Sequence, residues 1–182
     1  MRKSVAALVA VLTGVTGCGG GGRSDSAASP AATARITVTS TAYTEGGTIP
    51  RRFTCDGENV SPPLALSGVP VRTGSLALLL RDADTPHGSF THWLAWDIDP
   101  HTTRLSAGES PKGATEGRNS FGKPGYGGPC PPRGDRPHHY VLTAYATAGH
   151  LSLSPDTTPD ALLKALSGRT LATGTLTGRY GR

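Results

Sequence analysis

Hydrophobic and polar positions alternate along this chain in short runs, separated by stretches with almost no aliphatic side chains. Ile36, Val38 and Ser40 alternate with Thr37 and Thr39, which predicts an edge strand and a folded region starting near Arg35. Residues 75–80 form a nearly continuous apolar run between Gly74 and the Arg81-Asp82 pair, as expected of a buried central strand. Residues 92–98 read as another strand. A period of two puts His92, Leu94, Trp96 and Ile98 on one face, with Trp93, Ala95 and Asp97 on the other. A third long strand covers 140–146, where His138, Tyr140 and Leu142 share a face, and a last one covers 171–180. Thr158 is placed to cap a short helix with Pro159 in its first turn, Leu162, Leu163 and Leu166 inward, and Gly168 as its stop. Residues 43–70 are turn-rich. Residues 100–137 predict a long loop pinned by Phe121 and Tyr126. Strands with one helix predict a mostly β fold, a β-sandwich.

Composition supports that reading and adds a location. With 25 Gly, 15 Pro and one Met in 182 residues, a helical bundle is excluded. The formal charge of +5 is a mild bias, and two of those charges, Arg2 and Lys3, open the N-terminal segment. No Lys/Arg cluster is interleaved with aromatics, so nucleic acid is not an expected partner. The first 17 residues have the layout of a secretory signal: a basic start, an apolar run too short to span a bilayer, then Val15-Thr16-Gly17-Cys18. That ending resembles a bacterial lipobox, with Cys18 lipidated and first in the mature chain. Residues 18–34 then read as a flexible Gly/Ser/Ala tether and 35–182 as the folded domain. The expected location is the outer face of a bacterial membrane, held by the lipid anchor. Cys55 and Cys130 remain as an even pair in an exported protein, either bridged or as two buried thiols.

Candidate chemistry sits in two Pro-rich segments. Asp82-Ala-Asp84-Thr-Pro86 ends the apolar strand, and His92 follows on the next. Gly128-Pro129-Cys130-Pro131-Pro132 precedes His138 and Tyr140. One aspartate is expected to make an Asx-type turn. The other, at the end of a buried strand, needs a partner, and His92 is the expected one. That bond would fix the imidazole tautomer and raise its pKa, favouring a cation that holds an anion. His138 and Tyr140 would add donors. Zinc-type spacing and the Gly-x-Ser-x-Gly elbow are absent. A metal site from His92, His138 and Asp82 stays open. Asp82 and Asp84, two apart in extended chain, point to opposite faces, which argues against a shared catalytic pair. No nucleophile with its base is identifiable, so the expectation is a non-enzymatic protein without cofactor or metal.

Together these motifs resemble the phosphatidylethanolamine-binding protein family, in its bacterial branch of Raf kinase inhibitor-like proteins. The resemblance runs from about Arg35 to Arg182. It rests on Asp56 to Leu64 with its Ser61-Pro62-Pro63-Leu64, on Asp82 to Pro86, on His92-Trp93, on Asn119-Ser120-Phe121-Gly122 leading into Gly125 to Pro132, and on His138 to Tyr140. Ala83 and Thr85 depart from the familiar Asp-Pro-Asp-Ala-Pro, and the anchor and tether are absent from many relatives. The resemblance implies a Greek-key-like β-sandwich with a small anion cleft. Residues matching Asp82, His92, His138 and Tyr140, with Pro129 to Pro132, would line it. It also implies phosphate-like or carboxylate ligands, phospholipid head groups among them. An alternative is a protein-interaction module that inhibits a protease or kinase in the cell envelope through surface loops, and a weaker one is a weak hydrolase.

Overall fold

The computed structural model describes residues 34–86 and 88–182. The expected signal, the Cys18 anchor and all of the tether but Ala34 lie outside the described residues. Ala34, expected at the tether's end, already belongs to the first strand.

Among the described residues ten strands and one α-helix follow in chain order: β1 Ala34–Arg35, β2 Thr37–Thr39, β3 Gly47–Thr48, β4 Leu64–Ser67, β5 Ser75–Asp82, β6 Phe90–Ile98, β7 Arg104–Leu105, β8 Thr115–Glu116, β9 His138–Thr147, α1 Pro159–Leu166 and β10 Thr170–Tyr180. Seven strands form the larger sheet in the order β1-β10-β9-β5-β6-β8, with β3 also on β10. The smaller sheet is β2-β4-β7. β5 is central and buried along almost its whole length, as its apolar run requires. The core between the sheets joins Ile36, Val38, Leu64, Leu66 and Leu105 to Leu78, Leu80, Trp93, Tyr140 and Leu142. On the outer face of the larger sheet, Leu162 and Leu166 of α1 cover Ala77, Leu79, Leu94 and Trp96. Eight residues make too short a helix to persist alone. Burial of those two leucines contributes roughly 4 kcal/mol and holds it in place. The Thr158 hydroxyl caps it by accepting from Ala161 N, Leu163 is half-buried, and the positive φ of Gly168 ends the turn.

The expected face assignment of β6 fails at two residues, for one physical reason. Where β6 pairs with β5, the register slips between Leu76 and Leu78 and again between Leu80 and Arg81. Each slip is a bulge in β6, and a bulge reverses the side-chain alternation beyond it. Ile98 therefore joins Trp93 and Ala95 in the inter-sheet core, while Leu94 and Trp96 face α1. His92 leaves the Leu94 face as well: its ring meets Tyr140, on the side of the inter-sheet core. At the first slip Asp97 adopts φ +57°, and its carboxylate accepts from Leu151 N (2.6 Å) and Ser152 N (3.0 Å). Asp97 thus fastens the loop ahead of α1 to the sheet.

The long 100–137 segment is structured, as anticipated, and of its two expected aromatic anchors Tyr126 is the buried one. Tyr126 is the anchor: its hydroxyl donates to Phe53 O (2.6 Å) and its ring stands edge-on to Trp93. Phe121 is 44% exposed and packs edge-on against Phe90 and His92. Among the described residues no helix is long and apolar enough to cross a membrane.

Candidate functional site

The register of β5 with β9 sets Asp82 directly across from Tyr140, and His138 lies two residues further along the same face. The β6 bulge turns His92 toward this corner. The Pro-rich segment closes it from the loop side. The result is a cavity of about 290 Å³ lined by Asp82, Asp84, Thr85, Pro86, Phe90, His92, Phe121, Cys130, Pro131, Pro132, Asp135 and His138.

Asp82 does not pair with His92, contrary to expectation. Its Oδ2 accepts from Nδ1 of His138 at 2.7 Å, with both side chains buried. Its Oδ1 accepts from the backbone N–H of Asp84 at 2.9 Å. One carboxylate thus makes the Asx turn and also orients an imidazole, two tasks the sequence had divided between two aspartates. Asp84 has a third task. Its Oδ2 accepts from both the backbone N–H and Nδ1 of His139, each at 2.7 Å, with Arg136 at 3.3 Å. The backbone and side-chain bonds from His139 hold the Asp84 carboxyl below the usual aspartate range. Asp84 therefore clasps the start of β9 to the end of β5.

His92 is held by backbone. Its Nδ1 donates to Gly127 O at 2.7 Å, and Gly127 N donates back to His92 O at 2.8 Å. The ring is 2% exposed. Burial lowers its pKa, outweighing the Gly127 carbonyl and the more distant Asp82. This reverses the expected upward shift, because the carboxylate that would have driven it is spent on His138. Both imidazoles have Nδ1 committed to an internal acceptor, so in each it is Nε2 that remains for other partners. The Nε2 of His138 stands 3.8 Å from the half-exposed carboxylate of Asp135.

Three residues expected in the lining are elsewhere. Tyr140 lies under the cavity with 0% exposure, and its hydroxyl has no hydrogen-bond partner among the described residues. Burial, with Asp82 nearby, pushes its pKa up, so the hydroxyl stays protonated. Gly128 and Pro129 form the buried back of the wall. Gly128 N donates to Asn59 Oδ1 (2.8 Å), and a Cβ at Gly128 would sit 2.7 Å from Phe53 O, so only glycine fits. Cys55 and Cys130 are joined in a disulfide across 75 residues, a closure worth on the order of 4 kcal/mol by chain entropy. Four lining residues escaped the sequence reading: Thr85, Phe90, Phe121 and Asp135. Phe90 and Phe121 meet edge to face at 4.8 Å, and both also meet the His92 ring. The aromatic flanking His92 at Phe90 was the available signal.

Among the described residues no group of three or more His, Cys, Asp or Glu is placed to hold a metal ion. The Asp82, His92 and His138 arrangement left open above is engaged in internal bonds instead.

Residues 39–181 match the phosphatidylethanolamine-binding protein family. A UPF0098 protein of Pyrococcus abyssi is 37% identical, over 100% of this chain and 99% of its own length. The Mycobacterium tuberculosis protein that carries the lipoprotein name LppC is 35% identical, over 93% of each chain. The crystal structure of a phosphatidylethanolamine-binding protein homologue from Chlamydia trachomatis superposes with a TM-score of 0.77 at 36% identity, covering 81% of this chain and 98% of that one. Escherichia coli YbcL, described as a member of the mammalian family, also gives 0.77, at 32% identity over 82% and 99%. With its sheets, the family match over residues 39–181 and these relatives in agreement, the chain belongs to the phosphatidylethanolamine-binding protein family.

Proposed function

We propose that this is a membrane-tethered extracytoplasmic binding protein whose cleft takes a small anion, a phosphate-like or carboxylate head group, and does not transform it. The observation that carries this reading is the pair of imidazoles on one 290 Å³ cavity, each with Nδ1 already satisfied. Asp82 supplies the counter-charge that lets His138 hold a proton while an anion sits on Nε2. The Asp135 carboxylate near that nitrogen illustrates the kind of group it attracts. His92 adds a second ring. In its neutral form its Nε2 accepts a proton-bearing oxygen, such as that of a monoprotonated phosphate, and once protonated it donates.

The absence of turnover is part of the same reading. Asp82 and His138 have the form of an orienting carboxylate and a base, but the nearby nucleophile candidates are engaged. The Thr85 hydroxyl donates to Gly88 O, and Cys130 is in the disulfide. Tethering is supported by the lipobox-like Val15 to Cys18 and by the lipoprotein name of the mycobacterial relative. Cys18→Ala then moves the protein from the membrane fraction to the soluble one.

Calorimetry with inorganic phosphate and with acetate tests the cleft. Binding is expected at about pH 6 and is expected to weaken as pH rises through the histidine range. In the double variant His92→Ala, His138→Ala it disappears. Binding that is absent at about pH 6, or unchanged in the double variant, overturns the proposal.

A further inference from the structure

One wall of the cleft hangs on a chemical bond rather than on a ladder of hydrogen bonds. Pro129, Pro131 and Pro132 have no backbone N–H to give. The segment's ends are fastened by Gly128 N–H to Asn59 Oδ1 (2.8 Å) and Gly134 N–H to Arg182 O (3.1 Å); between them it is tied to the body by Cys55 N–H, which donates to Pro129 O at 3.1 Å, and covalently through Cys130. Further along, Asp135 N to Pro132 O (3.3 Å) is a turn within the wall itself. Cys130 faces the cavity while Cys55 is on the turn behind it, and both residues are partly exposed.

The disulfide also has an unusual neighbour. Nη1 of Arg182 lies 2.9 Å from Cys55 Sγ and 3.0 Å from Cys130 Sγ. The same nitrogen lies 3.5 Å from Asp56 Oδ1. Asp56 in turn accepts from the Tyr180 hydroxyl at 2.7 Å and faces Arg133 at 3.5 Å. A disulfide needs no cation. A departing thiolate does, and one nitrogen here reaches either sulfur.

We infer that Cys55–Cys130 is an exchangeable disulfide, opened by a dithiol reductant with Arg182 stabilising the leaving thiolate, and that its opening releases the Pro-rich wall of the cleft. A thiolate of the dithiol attacks Cys130 Sγ from the cavity side. The Cys55–Cys130 bond breaks, and its electron pair leaves on Cys55 Sγ beside Arg182. The second thiol of the reductant then attacks the mixed disulfide, freeing Cys130. The reductant leaves as a disulfide and the protein gains two protons and two electrons. Between the flanking ties of Gly128 and Gly134, Cys55 N–H to Pro129 O is then the remaining backbone bond from residues 129–132 to the body among the described residues, and this part of the wall loses its fixed position. The link to ligand affinity rests on the anion-binding reading above, whereas the exchange chemistry does not.

The test uses the full chain with dithiothreitol under native conditions, following Cys55 and Cys130 by alkylation and peptide mass. The wild type is expected to be reduced without unfolding, Arg182→Gln about tenfold more slowly, and Arg182→Lys at a rate between them. In the reduced protein, thiolate absorbance is expected to appear at lower pH in wild type than in Arg182→Gln, which a purely structural arginine does not explain. Amide exchange at Cys55 N–H is expected to accelerate on reduction, and phosphate affinity at about pH 6 to fall by roughly tenfold or more. Equal reduction rates in wild type and Arg182→Gln overturn the role of Arg182. Unchanged Cys55 exchange in the reduced protein overturns the release of the wall. If the oxidised protein binds no phosphate while rates and exchange behave as stated, the proposed function fails and this inference stands.

Discussion

The two histidines of the cleft stand on walls of different construction, and the contrast assigns them different work. His138 belongs to a regular ladder: β9 pairs residue by residue with β5, and Asp82 reaches it from across the register. His92 sits in a bulge on β6 and is held by the carbonyl of a glycine in a loop. A carboxylate partner compensates charge on a ring, and His138 has one in Asp82. A carbonyl partner compensates less, and burial disfavours the charged form of His92. One wall therefore carries charge and the other carries shape.

The harshest way to break this comparison is Asp82→Asn. The amide oxygen can still accept from Asp84 N, but its NH₂ then faces the Nδ1–H of His138, two donors in a buried site. The ring must switch tautomer or lose its partner, and the counter-charge is gone in either case. The expected cost is about 2 kcal/mol in urea denaturation, with phosphate binding at about pH 6 reduced more than tenfold. Normal binding in this variant would show that His138 does not act as a charged group.

A smaller effect separates the walls by pH. The pKa of His92 is lowered by folding, so between the ordinary histidine value and the depressed one the unfolded chain binds the extra proton. The contribution of His92 to stability is thus complete above the ordinary value and declines as pH falls below it, by up to about 1 kcal/mol for each pH unit crossed. Asp84, also lowered, loses its contribution only further down, in the carboxylate range. His92→Gln is expected to flatten the upper part of this acid limb in denaturant midpoints taken across the histidine range. An identical slope in wild type and variant would mean that the buried ring titrates freely.

Much of this arrangement was legible in residue types and spacing. Apolar runs located β5 and β9, alternation predicted that His138 and Tyr140 share a face, and Thr158, Pro159 and Gly168 marked the helix. Which carboxylate meets which imidazole was not legible. That depends on pairing register and on two bulges in β6, and a bulge adds one residue without leaving a hydrophobic signature. Asp97 shows the limit clearly. In sequence it is a polar residue in a strand, and only its positive φ and the two amides it accepts from reveal a fastening point. Asp135 was missed for a similar reason, since its place beside His138 is set by the path of a loop.

Asp135 gives the finest probe of the charged wall. Its carboxylate stands 3.8 Å from His138 Nε2 and is half exposed, so its pull is screened and worth well under 1 kcal/mol. It is nevertheless an anion at the nitrogen proposed to receive the ligand. If both compete for that nitrogen, Asp135→Asn removes the internal competitor and tightens inorganic phosphate binding by about threefold. The gain should shrink as salt rises, because an exposed charge is screened. If Asp135 instead helps position the ring, the same substitution weakens binding. The sign of the change in a calorimetric titration therefore decides whether His138 Nε2 is the anion's seat.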